Sequence, residues 1–81
     1  MMVQVRLFAI AATQAGTSSL SVDLSPPATV ADLRASLVAK CPALASIMPH
    51  LMFAINADYA AEHSQIAPGD EVACIPPVSG G

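Results

Sequence analysis

Basic residues are scarce in this sequence: three Lys and Arg stand against six Asp and Glu, for a net charge of −3. A stripe of positive charge that could track a phosphate backbone cannot be assembled from so few, which argues against nucleic acid as a partner. Charge of either sign is sparse, at 11% of residues where soluble domains carry about a quarter. With 54% of residues hydrophobic, much of the surface must be uncharged or apolar, and a partner is expected to cover part of it. Long apolar runs are missing too. Nothing approaches the ~20 residues of a membrane-spanning helix, so no membrane association is expected. The stretch from Leu7 to Ala12 behind Arg6 falls short of the ~7 residues of a signal-peptide core. Cysteine is limited to Cys41 and Cys74, which form neither a C-x-x-C pair nor a dense framework and suit a reducing, cytoplasmic setting, although one disulfide stays open. The 81 residues allow one small domain, which excludes most self-contained enzymes with a deep cleft. Such a chain buries only ~60% of its unfolded surface, so its core is thin.

What is present is periodic. Val3, Val5 and Leu7 alternate with Gln4 and Arg6, which predicts a first strand from about Met2 to Ile10, followed by a loose segment through Ser19. Leu20, Val22 and Leu24 alternate with Ser21, Asp23 and Ser25, and this second strand is expected to pair with the first as an antiparallel hairpin. Pro26 and Pro27 stop it. Thr29 with Asp32 three residues on makes a capping box with Asp in place of the usual Glu, opening a helix that runs to about Lys40 before Pro42. Val30, Leu33, Leu37 and Cys41 fall on one face of that helix and must be buried.

Ala43 to His50 reads as a loose helical turn, Leu51 to Ile55 as a short buried strand, Asn56 to Asp58 as a turn, and Tyr59 to Glu62 as another short strand. A turn at Pro68, Gly69 and Asp70 leads into a final strand, Glu71 to Ile75. One amphipathic helix cannot hide its stripe alone, so it is expected to pack across one face of a mixed sheet. That is an α+β architecture of the β-grasp type. It occupies 1–75, with 76–81 as a projecting tail.

The tail reads Pro76-Pro77-Val78-Ser79-Gly80-Gly81. Two prolines cannot extend a sheet ladder and hold the chain extended, so the segment should leave the sheet as an arm reaching ~20 Å. Gly80 and Gly81 lack Cβ atoms, so the backbone can pass through a channel too narrow for side chains and present its terminal carboxylate to another protein's reactive groups. A terminal Gly-Gly taken alone reads first as an ordinary frayed end, and the sequence around it reverses that reading.

The end of the chain from Gly69 to Gly81, Leu7-Phe8-Ala9 in the first strand, Gly16 in the loop after it, Thr29-Val30 with Leu33 at the helix start, and Asn56 together extend over the whole chain. In these residues the sequence resembles the MoaD-like sulfur-carrier family, the small subunits of molybdopterin synthase within the ubiquitin-like group. Relatives often carry Arg-Glu after the Phe-Ala pair, whereas this chain has Ala12-Thr13. The resemblance implies that a ubiquitin-activating-like adenylyltransferase uses ATP to adenylate Gly81, that a sulfur donor protein converts it to a thiocarboxylate, and that the tail enters the large, catalytic subunit of a heterotetrameric synthase. There its sulfur would pass to a cyclic pyranopterin precursor of molybdenum cofactor. It further implies that the chain holds no cofactor of its own and is not an enzyme alone. Only Gly81 would change covalently, with Pro76, Pro77, Val78, Ser79 and Gly80 inserted behind it. A carrier for another pathway such as thiazole synthesis would use the same chemistry, though such carriers generally lack the proline pair. A purely noncovalent ubiquitin-like module is the alternative of a different class.

Phe8 has the opposite strand parity to Val3, Val5 and Leu7, and Ile75 opposes Val72 and Cys74 in the same way, so both should face away from the helix. With Tyr59 they form a candidate partner-binding patch on the open sheet face. Asp70 and Glu71 read as a solvated turn or as a contact for a basic partner patch. His50, His63 and the two cysteines match no usual metal-ligand spacing, so no metal site is assigned. A thiol enzyme would need a base positioned beside Cys41 or Cys74, and the sequence indicates none.

Overall fold

The structure, a computed structural model, describes residues 1–77. The alternation in the first segment produces β1, Met2–Leu7, with Val3, Val5 and Leu7 buried and the residues between them exposed. It ends three residues before the expected Ile10. The chain turns sharply at Ala9, whose φ of 52° is a region L-residues rarely adopt. The segment expected to be loose contains a short helix instead, α1, Ile10–Ala15, closed by Gly16 in the left-handed conformation. The sequence Ile-Ala-Ala-Thr-Gln-Ala carries no apolar period, and small residues attach it to the core, Ala11 fully buried and Ala12 and Ala15 partly so.

β2, Ser19–Asp23, pairs antiparallel with β1 as expected, Val5 opposite Leu20 and Val3 opposite Val22. A two-residue strand, β3, Ala28–Thr29, follows. The main helix, α2, is Val30–Lys40, and its capping box is formed. The Asp32 N–H donates to Thr29 Oγ1 at 3.3 Å and the Thr29 N–H to Asp32 Oδ2 at 2.9 Å, contacts worth about 1 kcal/mol together with the cap. The next N–H groups of the first turn are taken up from outside, Val30 by the Ser64 carbonyl and Ala31 by that of Glu62. Val30, Leu33 and Leu37 are buried. Cys41, expected on the same stripe, is half-buried, because it is the residue at which the helix ends and the chain turns away.

Two single-turn 3-10 segments, Pro42–Leu44 and Met48–His50, occupy the stretch read as a loose turn. β4 is Met52–Ile55, β5 is Asp58–Ala60, β6 is Gln65–Ile66 and β7 is Val72–Ile75. β5 thus starts one residue earlier than expected and stops before Glu62, and β7 starts after Glu71. Asn56 and Ala57, both with positive φ, make the tight β4–β5 turn. The main sheet has the order β2-β1-β7-β4-β5, and β3 and β6 form a separate small ladder. β1 and β7 run parallel at its centre while β2, β4 and β5 are antiparallel to their neighbours. α2 packs across one face, which makes a mixed-sheet ubiquitin-like β-grasp.

Arg34 ties the helix to the loops. Its guanidinium donates to both carboxylate oxygens of Glu62 and to the carbonyls of Met48 and Leu51, and it stacks 4.9 Å from the centre of the Phe53 ring. The hydrogen bond from Arg34 holds Glu62 below the usual carboxylate range against a smaller opposing effect of desolvation. Among the described residues no helix is long and apolar enough to cross a membrane.

Candidate functional site

The sheet has two unlike faces because side chains alternate along each strand. Leu7, Cys74 and Phe53 lie side by side in register on the face beneath α2, and all are buried. One residue along, Arg6, Ala73, Ala54 and Tyr59 form the matching row on the open face. Here the structure brings together the three residues singled out from the sequence. Phe8 is 42% exposed and Tyr59 65%, while Ile75 is half-buried, and all three line one shallow depression of about 300 Å³ with Ala54 and Ala73 as its floor. The methyl side chains of the two alanines create the hollow, since any larger residue at the middle of the row would fill it.

Met52, paired directly with Ile75, extends this apolar surface and is 42% exposed. The reading of Leu51 to Ile55 as a wholly buried strand missed it, because the run contains no polar residue to mark the alternation. The signal was available in parity: Met52 opposes Phe53, the buried ring at the centre of the core.

Phe8 is held by its backbone. Its N–H donates to the Cys74 carbonyl at 3.2 Å, continuing the β1–β7 ladder past the end of the strand, and its own carbonyl accepts the Ala11 N–H as α1 begins. Thr13 donates to the Ala9 carbonyl through both its N–H and its hydroxyl. The backbone at Ala9 is therefore fixed by α1, at a cost of about 1–3 kcal/mol for its conformation, and the ring of Phe8 is anchored at the rim of the depression. Arg6 lies over that ring, 5.6 Å from its centre.

The tail leaves from this same end of the sheet. β7 is flanked by β1 and β4, so Pro76 and Pro77 emerge from the middle of the sheet beside Phe8 and Met52. Pro76 is half-buried and Pro77 exposed, and neither extends the strand. Val78, Ser79, Gly80 and Gly81 lie outside the described residues.

The remaining candidates sort by their partners. Asp70 accepts the Ala67 N–H at 2.7 Å and the Asn56 side-chain amide at 3.0 Å, in that order of effect, and these bonds hold its carboxyl below the usual range. Asn56 also accepts the Glu71 N–H at 2.9 Å, so it clasps the β4–β5 turn to the turn that launches β7. The carboxylate of Asp70 is thus committed to the fold, while that of Glu71 stands on the open face. Cys74 is fully buried, and burial pushes its thiol up to about 11, with the charge of Arg34 pulling weakly the other way. A thiol so protonated is no nucleophile near neutral pH. His50 and His63 are exposed. Among the described residues no three His, Cys, Asp or Glu side chains come together.

Comparison with known proteins gives a consistent picture. The model of the ThiS family matches residues 5–81. A molybdopterin synthase sulfur carrier subunit from Chlamydomonas reinhardtii is 40% identical over the full length of both chains. One from Homo sapiens is 32% identical, covering 98% of this chain and 93% of that one. Among solved structures, SAMP1 from Haloferax volcanii superposes with a TM-score of 0.87 at 36% identity, again over the whole of both chains.

Proposed function

This chain belongs to the ThiS family, and on that premise we propose that it is the sulfur-carrier small subunit of a molybdopterin synthase, acting in the cytoplasm through the carboxyl group of Gly81. A carboxylate does not exchange oxygen for sulfur unaided, because its oxygens are poor leaving groups. In the first step the Gly81 carboxylate attacks the α-phosphate of ATP on a ubiquitin-activating-like adenylyltransferase, forming an acyl adenylate and releasing pyrophosphate. A sulfur donor protein then supplies sulfide equivalents that attack the acyl carbon, AMP departs, and a thiocarboxylate remains. In the large subunit that sulfur passes to the pyranopterin precursor, and the acid-base groups for the transfer belong to that subunit. This chain contributes binding and delivery: the open face docks, and the prolines and glycines carry the thiocarboxylate inward.

The observation that carries the reading is the Pro76-Pro77-Val78-Ser79-Gly80-Gly81 end following a central strand, beside an exposed apolar depression. The identity to sulfur carrier subunits along the full chain supports it. Intact-mass measurement after incubation with ATP, the activating enzyme and a sulfur source should show a rise equal to the difference between sulfur and oxygen. Deleting Gly81 should abolish that rise and leave the circular-dichroism spectrum folded. No rise with a competent activating system would reject the proposal, as would unfolding of the deletion variant for the independence of the tail.

The likeness to SAMP1, a chain also named small archaeal modifier protein 1, favours one second reading, in which the activated carboxyl passes to an amine of another protein. Adding a lysine-bearing peptide to the same reaction separates the two. A peptide conjugate at Gly81 in place of the thiocarboxylate would support the second.

A further inference from the structure

The chain has three basic side chains, Arg6, Arg34 and Lys40, and the fold uses two of them internally. Arg34 is taken by Glu62 and two carbonyls, and Lys40 donates to the Ser21 carbonyl at 2.7 Å. Arg6 is exposed on the open face, and among the described residues the ion pairs are those of Met1 with Asp23 and of Arg34 with Glu62. Its contact is with an aromatic ring, that of Phe8. It lines the apolar depression with Phe8, Tyr59 and Ile75, and equally a second, more polar hollow of about 700 Å³ that includes Gln4, Ser18, Ser19 and Glu71. Its sheet neighbours in the row are Ser19 and Ala73, both too short to cover it.

We propose that Arg6 is the charged contact of the docking face, and that the partner protein covering the Phe8, Ile75 and Tyr59 depression presents a carboxylate to it. This rests on the reading of the open face as a docking surface. A partner that covers the depression removes water from a guanidinium stacked on its wall, and a dehydrated cation without an anion is costly. The planar fork of an arginine fits a carboxylate in a two-point contact, and stacking on Phe8 holds the fork in position. The net charge of −3 adds a condition. A broadly acidic partner patch would be repelled by the molecule as a whole, so the fitting surface is apolar with an isolated carboxylate at its edge. Glu71 borders both hollows and would oppose that carboxylate.

The test is calorimetric titration of Arg6→Gln, Arg6→Lys, Glu71→Gln and Phe8→Asp against the large synthase subunit at low and high salt, with a melting curve of each free variant. Arg6→Gln should bind about tenfold more weakly and lose most of the salt dependence, while melting as the wild type does. Arg6→Lys should fall between, keeping the charge without the fork. Glu71→Gln should bind as well or better. If Arg6→Gln binds like the wild type with an unchanged salt dependence while Phe8→Asp is weakened, the carboxylate contact is overturned and the docking face stands. If Phe8→Asp also binds normally, or the wild-type chain does not bind, the docking face itself fails and this inference with it.

Discussion

At the scale of single residues, the two thiols differ sharply although both precede or follow apolar segments. Cys74 sits between Leu7 and Phe53 in the buried row, and its thiol is raised from an ordinary 9.0 to about 11 by loss of water. Its raised value has a consequence for stability. Below about pH 9 the thiol is protonated in both folded and unfolded chains and stability is unaffected by it. Between about 9 and 11 the unfolded chain gives up the proton while the folded chain keeps it, so stability falls as pH rises through this window. Cys74→Ala should flatten the decline of denaturant midpoint with pH across that window, at some loss of packing at every pH. A profile as steep as that of the wild type would show that other groups cause it. At pH 8 iodoacetamide should label the half-buried Cys41 of the native protein well before Cys74, and both at once in denaturant.

At the scale of elements, α2 carries the strongest expectation. Leu33 and Leu37 are fully buried one turn apart on the face that meets the sheet. Each truncated to Ala should cost roughly 2 to 5 kcal/mol through lost burial and a residual cavity, read as a lower denaturant midpoint. An unchanged midpoint for both would mean that the helix does not pack as described. This helix was legible because its signals are local: the Thr29–Asp32 box, the three-and-four spacing of its apolar residues, and Pro42 after its end. β1, β2 and β7 were legible through alternation. α1 was not, since Ile10 to Ala15 has no amphipathic period and exists because Ala9 turns the chain and Ala11 finds a place in the core. Nor could β3 and β6 be read, as two residues show no period and their pairing of Ala28 with Ile66 joins distant parts of the chain. The clasp of Asn56 on Asp70 and Glu71 was invisible for the same reason, although its residues were each recognised as turn formers.

For the molecule as a whole, the consequence of one sheet with one covered face is that the core lies on one side of the strands and the proposed docking surface on the other. Parity placed Phe8 and Ile75 on the open side from sequence alone, with Tyr59 named as a candidate beside them, but not the alanine floor that makes a depression of them, because that requires the register across β1, β7, β4 and β5. The division can be tested on one pair of aromatic rings. Phe53 is 1% exposed under the helix and stacked against Arg34, whereas Phe8 is 42% exposed on the other face. Phe53→Ala should therefore cost about 3 to 5 kcal/mol, a large share of the total stability of so small a domain. Phe8→Asp should leave the melting temperature nearly unchanged, because a carboxylate on a solvated face is not dehydrated in the free protein and Arg6 is at hand to receive it. Against the large subunit or the activating enzyme the order should reverse. There the carboxylate at position 8 would be buried against an apolar surface, and a loss of ~1.4 kcal/mol suffices to weaken binding tenfold. Differential scanning calorimetry of both free variants, paired with titration of Phe8→Asp against each partner, reads both orders. Were Phe8→Asp to unfold the domain, Phe8 would belong to the core and the separation of faces would be wrong; were it to melt and bind as the wild type does, the open face would have no part in docking.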